Sequence, residues 1–273
     1  MKRLLQILNA VSLVFTIVIS YSFSGREGKP SISDLSAKYD NLLTPAGYAF
    51  GIWGLIYLLL AAFVVYQFRD STNKQSEKGL VLRVGWWFII ANLANAAWVW
   101  AFTNDRIGLS LIIMVISFFS LLKVVLHTNM ERWDAPNKVI FFVWWPFSAY
   151  FGWITVALII NTSAYLTSIG WDGNPLSAET WAILVLLTAA AIFIAMVWKR
   201  NMREYASIGV WGIAAIAVKN WDTHPVVAWT AVAAAILITI NTAVHGHINR
   251  ATGPFAPRDR TNLIEDDYGK SEH

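Results

Sequence analysis

Eight runs of about twenty mostly apolar residues divide this chain, and no other feature constrains its fold as much. They are Leu4–Phe23, Ala46–Phe68, Val84–Phe102, Gly108–Leu126, Val139–Ile160, Thr180–Trp198, Tyr205–Trp221 and Val226–His245, the seventh being the shortest. In a bilayer such a run is helical, because its peptide groups have no water to bond and must satisfy one another. The 273 residues are 56% hydrophobic and 14% charged, with a mean hydropathy of +0.49. That balance belongs to a polytopic membrane protein and excludes an ordinary soluble domain.

Charge gives an independent check on the count. With Lys2 and Arg3 in the cytoplasm and the runs alternating, only Arg26, Lys29, Lys38, Arg106 and Lys219 lie outside, and the other sixteen of the 21 Lys and Arg lie inside. A miscounted run would invert the parity and mix the two groups. The expectation is an all-α integral membrane protein of eight spans, both termini cytoplasmic, in the plasma (inner) membrane. The first run also has the outline of a cleaved signal peptide, with a basic start and Ser20, Ser22 and Ser24 near its end. Its length, and the interruptions at Asn9 and Ser12, argue against cleavage. The chain has no Cys, so disulfides and thiolate chemistry are excluded. The net charge of +4 is carried by the cytoplasmic loops and gives no argument for a nucleic-acid partner.

Between the runs, Ser24–Leu43 is the longest outer connection and is expected to act as a lid, while Arg69–Arg83 is a short basic link. The turn Asp172-Gly173-Asn174-Pro175 marks a boundary. The reading is a five-helix core over residues 1–165, three further helices over 166–248, and a disordered cytoplasmic tail over 249–273. No Asp, Glu, Lys or Arg lies at the middle of a run, which disfavours a proton-coupled pump. Lys123 and Lys219 are close enough to an interface to snorkel.

Three spans carry a stripe that lipid alone does not require. Phe50, Trp53 and Tyr57 share a face of the second, which opens at Thr44-Pro45 and contains Gly47, Gly51 and Gly54. Asn92, Asn95, Trp98 and Phe102 follow one face of the third. Tyr150, Trp153 and Ala157 do so in the fifth, with Asn161 continuing the line. An Asn in hydrocarbon needs a partner, so Asn92 and Asn95 face protein or a cavity, either gluing helices together or orienting a ligand. The deeper Trp53, Trp98 and Trp153 suit a cavity wall, with plain packing as the alternative. Trp86, Trp87, Trp133, Trp171, Trp181, Trp198, Trp221 and Trp229 lie near span ends and read as belt residues. The glycines read as sites of close helix approach, Gly47 and Gly51 forming a small-xxx-small pair. His127, His224, His245 and His247 sit at span ends or in loops and make no metal motif. Ala94, Ala97 and Ala101 on the third span suggest a homodimer contact.

The segment Pro45-x-x-Tyr48-x-Phe50-x-x-Trp53-x-x-x-Tyr57 resembles the start of the second helix of the TspO/MBR family, the tryptophan-rich sensory proteins related to the translocator protein, or peripheral benzodiazepine receptor. Ala46 stands where that family often has a second Pro, and Tyr48 replaces its first Trp. Asn95-x-x-Trp98-x-x-x-Phe102 is similar to the family's third-helix segment, and Tyr150-x-x-Trp153-x-x-x-Ala157-x-x-x-Asn161 to its fifth; Ala149 replaces a Pro, with Pro146 three residues earlier. These motifs cover about residues 1–165. The resemblance implies a helical bundle that binds a hydrophobic, often planar small molecule, a porphyrin or haem-type tetrapyrrole or a sterol-like lipid. It implies a pocket lined by Trp53, Tyr57, Asn95, Trp98, Trp153 and Ala157, with Tyr48 and Phe50 at its outer rim. No cofactor is required, the porphyrin or haem being a ligand. A receptor, sensor or carrier is the expected role. The alternatives are a transporter proper, an enzyme acting on a membrane-dissolved tetrapyrrole or isoprenoid, and a scaffold whose Trp and Asn only pack.

Overall fold

The computed structural model describes residues 1–23, 30–69, 79–133 and 135–250. Residues 24–29 of the expected lid, most of the Arg69–Arg83 link and the tail beyond Arg250 lie outside the described residues. The described residues form eight long helices, labelled here α1 Lys2–Phe23, α2 Ile52–Arg69, α3 Trp87–Thr103, α4 Ile107–His127, α5 Trp145–Ser168, α6 Ala178–Arg200, α7 Arg203–Asn220 and α8 Pro225–Ile248. No strand occurs among the described residues.

Six helices are long and apolar enough to cross a membrane: α1, α2 with its leading turn from Gly47, α4, the α5 helix extended back to Asn137, α6 and α8. The other two fall short for different reasons. α3 is apolar but has only 17 residues. Val84 and Trp87 were expected in one helix, but Leu80–Val84 is a separate turn that ends at Gly85, whose φ of +53° suits glycine. α7 carries Arg203, Glu204 and Lys219 at its two ends, so its apolar part is short. Both helices are packed against neighbours, α3 burying eleven of its residues and α7 nine. Protein rather than lipid therefore supplies much of their surroundings.

Contacts near the helix ends show that the chain reverses direction at each connection. At one end Gln6 and Asn9 meet Gln67, and Arg200 reaches the carbonyls of Val125 and Met130. At the other, Lys38 and Tyr39 meet Asp105, Asn41 meets Ser163, and Asn220 meets Leu42. Lys219, expected to snorkel, instead pairs with Asp40 at 3.3 Å.

The central helix is α5. Its apolar stretch is 83% buried, against 28–39% in the other five long spans. Apolar residues all round a helix suit that position. It packs on α2, α4 and α7, and α7 in turn packs on α6 and α8. Pro146 lies in its first turn, and the preceding Ile140–Trp144 widens to π geometry, which absorbs the missing N–H. Small residues let α7 come close: a Cβ on Gly209 would lie 2.6 Å from the Phe193 ring, and one on Gly212 2.6 Å from Val156. One buried cluster runs from Leu13 of α1 to Ile238 of α8. Backbone contacts join its parts, since Ala46 N–H donates to Ala215 O at 3.0 Å and Trp211 Nε1 to Ala49 O at 3.1 Å.

Polar side chains stitch the buried faces. Asn9 Nδ2 donates to Gln67 Oε1 at 3.0 Å, Asn92 Nδ2 to Ser12 Oγ at 3.0 Å, and Thr16 Oγ1 to Asn92 O at 2.8 Å. Each such bond between membrane helices contributes about 0.6 kcal/mol on average. The alanines read as a dimer face divide: Ala94 and Ala101 are buried within the chain, and only Ala97 is exposed. The expected small-residue dimer face is therefore not a free surface.

Candidate functional site

The start of the second span is built in two steps. Ala46 is extended, Gly47–Gly51 forms a tight 3-10 turn, and α2 follows. The outer loop returns over it as a short helix, Ile32–Lys38, whose Ser31 and Asp34 form a reciprocal capping box. Gly47 lies close under this helix: a Cβ would sit 2.5 Å from Ser33 Oγ, which would have to rotate away. Gly51 and Gly54 have nothing within 4 Å. The expectation of close helix approach at these glycines is corrected accordingly: only Gly47 has a close neighbour, and that neighbour is the loop helix.

The three aromatic stripes meet. Trp53 stacks on Tyr57 with centroids 5.5 Å apart, and lies 6.0 Å from Tyr150 and 6.4 Å from Trp98. Phe50 meets Trp153 edge-on at 6.0 Å, and Trp98 stacks on Phe102 at 5.3 Å. Such pairs are worth roughly 0.5–1.5 kcal/mol each beyond area burial. Much of the cluster fills its own space. Trp153, Tyr150, Trp98 and Ala157 are buried. Tyr150 Oη donates to Ala91 O at 3.1 Å and Trp98 Nε1 to Asn161 Oδ1 at 2.9 Å. The Asn92 amide N–H is taken by Ser12, so Asn92 ties α3 to α1.

Beside the cluster is a recess of about 380 Å³, lined by Ile17, Ser20 and Tyr21 of α1, Ser31, Ile32 and Ser33 of the loop helix and its cap, and Phe50, Trp53 and Tyr57. That volume is within the range of small-molecule sites, roughly 300–1,000 Å³. Of the ten candidate residues, Phe50, Trp53 and Tyr57 line it. Asn95 stands behind them, its Nδ2 donating to Tyr57 Oη at 3.3 Å, and that hydroxyl lies 2.7 Å from Ser20 Oγ. Tyr48 is half exposed and its ring meets the edge of Trp211 at 5.3 Å. Asn92, Trp98, Tyr150, Trp153 and Ala157 do not line the recess.

Four of the ten candidate residues have a buried polar atom without a partner, Trp53 Nε1, Asn92 Oδ1, Asn95 Oδ1 and Trp153 Nε1, and of these residues Trp53 lines the recess. Leaving such a group unmatched costs roughly 1–3 kcal/mol. The lining offers no His, Cys or Met.

The rim is held by charge. Lys38 and Tyr39 of the loop both donate to Asp105 in the α3–α4 turn. The Lys38 ammonium, then the Tyr39 hydroxyl, hold the Asp105 carboxyl below its usual range. The α1 and loop contributions, Ile17, Ser20 and Ser31–Ser33, were missed in the sequence. A signal existed, since Asn9, Ser12, Thr16 and Ser20 follow one helical face, but Asn9 and Ser12 read only as interruptions.

No curated protein and no solved structure matches this chain. A family model described as "TSPO-like protein" does, across residues 6–244, and so runs through α6 and α7 into α8, beyond the motifs on the first five helices. With the Trp53, Trp98 and Trp153 stripes meeting in one bundle and the match covering most of the sequence, the chain belongs to the TSPO-like protein family.

Proposed function

We propose that this membrane protein is a receptor, sensor or carrier that holds a hydrophobic planar ligand, a porphyrin-type tetrapyrrole or a sterol-like lipid, in the recess between α1, α2 and the loop helix. The observation that carries the reading is Trp53: it lines the recess, stacks on Tyr57 and has an indole N–H without a partner. A flat apolar molecule gains by covering these rings, and its acceptor edge gains at the N–H. The loop helix, clamped to Asp105, acts as the lid. The buried Trp98, Tyr150 and Trp153 serve as the rigid wall behind the site. The alternating helix directions and the charge parity support eight crossings, with α3 and α7 shielded by their neighbours.

The close packing of Gly209 and Gly212 favours a fixed three-helix flank over a moving transport element. Native mass spectrometry of mildly extracted protein tests the proposal. An adduct of tetrapyrrole or sterol mass that Trp53→Ala loses supports it. A protein that carries only bulk phospholipid and leaves added protoporphyrin IX unbound contradicts it.

A further inference from the structure

A second cavity lies elsewhere. It measures about 520 Å³ and sits, partly open, at the outer end between α5 and α6, bordered by Asn41–Leu43 and by the turn at Trp171–Gly173. It shares no residue with the recess on α2. Its body is apolar, with Leu158, Leu166 and Val185 along the wall. At its mouth stand Trp171 and Trp181, with ring centroids 5.4 Å apart, and Asp172 between them in sequence.

The polar lining is rich in acceptors, and apart from the Trp171 indole its side-chain donors are engaged within the protein. Thr162 donates to Leu158 O, Ser163 to Asn41 Oδ1, Thr167 to Ser163 O, and Trp181 Nε1 to Gly173 O at 2.7 Å. Asp172 is the one charged residue of the lining. One of its oxygens accepts from Asn174 N–H at 3.0 Å, which fixes the turn. The nearby Asp40 is already paired with Lys219. A carboxylate lining the same cavity as two indole rings, with no competing cation in the lining, is the chemistry that recognises an ammonium group.

We infer that this cavity is a second ligand site, for a cationic amphiphile. An amine or quaternary ammonium head sits at Trp171, Asp172 and Trp181, and an apolar chain or ring system lies along Leu158, Leu166 and Val185. Anionic amphiphiles meet the Asp172 carboxylate and no cation in the lining, and are rejected. A zwitterionic phospholipid also fits poorly, since its phosphate finds no cation in the lining.

The test uses the full chain in nanodiscs of zwitterionic lipid, with dodecylamine, dodecanol and dodecanoate as matched probes. Each competes against a diazirine-bearing long-chain amine whose adducts are mapped by peptide mass spectrometry. The expected result is adducts in 158–167 and 178–185, with the amine competing best and the acid worst. Asp172→Asn, on an exposed turn, weakens the amine by roughly fivefold and leaves the alcohol within about twofold. Ala182→Trp fills the cavity and weakens both. Trp53→Ala, in the other site, leaves both within about twofold. Equal competition by all three probes, an Asp172→Asn variant that still prefers the amine, or adducts spread over the lipid-facing helices as for annular lipid would each overturn the inference.

Discussion

Replacing Gly209 of α7 by Ala isolates one physical cause. The added Cβ would sit 2.6 Å from three atoms of the Phe193 ring, where ordinary contact begins at 3.4 Å. Phe193 cannot swing away. It is fully buried, and its ring lies 4.9 Å from that of Tyr205, whose hydroxyl donates to Thr155 of α5 at 3.0 Å. The methyl must therefore push α7 off α6 or strain the Phe193–Tyr205–Thr155 chain. Overpacking of this kind costs about 1–3 kcal/mol, or roughly 2–12 °C in Tm at about 2–4 °C per kcal/mol. Gly51→Ala and Gly54→Ala are the matched controls, because nothing lies within 4 Å of either added atom. There the helix gains about 0.5–1 kcal/mol from lost backbone freedom in the unfolded chain. The assay is thermal unfolding in one detergent at one scan rate, followed by tryptophan fluorescence. A Gly209→Ala protein as stable as Gly51→Ala would refute the claim that α7 is locked to α6 through this glycine.

Three further expectations follow from the same geometry. The chain has no Cys, so single cysteines report topology cleanly; Asp222→Cys is labelled from outside and Lys199→Cys from inside, and labelling of both from one side means that α7 does not cross. Asp105 has a folded pKa held below its unfolded value, so its contribution is present above the unfolded pKa and is lost as pH falls through the folded one. Hydrogen exchange of Ile32–Lys38 should rise in that acid window and be fast at all pH in Asp105→Asn, whereas unchanged protection means the clamp is idle. Glu131 shows the opposite sign: burial, then the neighbouring Glu204, push its carboxyl well above the usual range. Ionising it destabilises the fold as pH rises, so Glu131→Gln should match or exceed the wild-type Tm at neutral pH and flatten its pH dependence, and a clear loss of Tm contradicts this.

What the sequence made legible was what lipid and charge impose. Span positions follow from apolar length, and the Trp53, Trp98 and Trp153 stripes follow from helical spacing and do meet. What it hid depends on which neighbour each face receives. Asn92 has a ligand-like position, yet its amide is taken by Ser12, a pairing 80 residues apart that no local pattern shows. Gly51 and Gly54 look like packing glycines, but no helix arrives opposite them. Gly209 and Gly212 stand on the shortest span without a motif around them, and they are the ones that accept a neighbour's side chain. Trp153 lies on the expected face, but Phe50 covers it. The Ser31–Asp34 capping box was readable within the loop taken as a lid, and Ser31, Ile32 and Ser33 form a wall of the recess.

The most direct measurement of the central claim is a binding titration with protoporphyrin IX, comparing wild type, Trp53→Phe and Ser33→Trp at matched folded fraction. Trp53→Phe keeps an aromatic face and removes the unpartnered N–H, a loss of about 0.5–1.5 kcal/mol or roughly 2- to 13-fold in Kd. Ser33→Trp places a large ring in the recess and should abolish binding while leaving the buried Trp98–Trp153 cluster untouched. Equal affinity for all three proteins would place the ligand elsewhere and contradict the account.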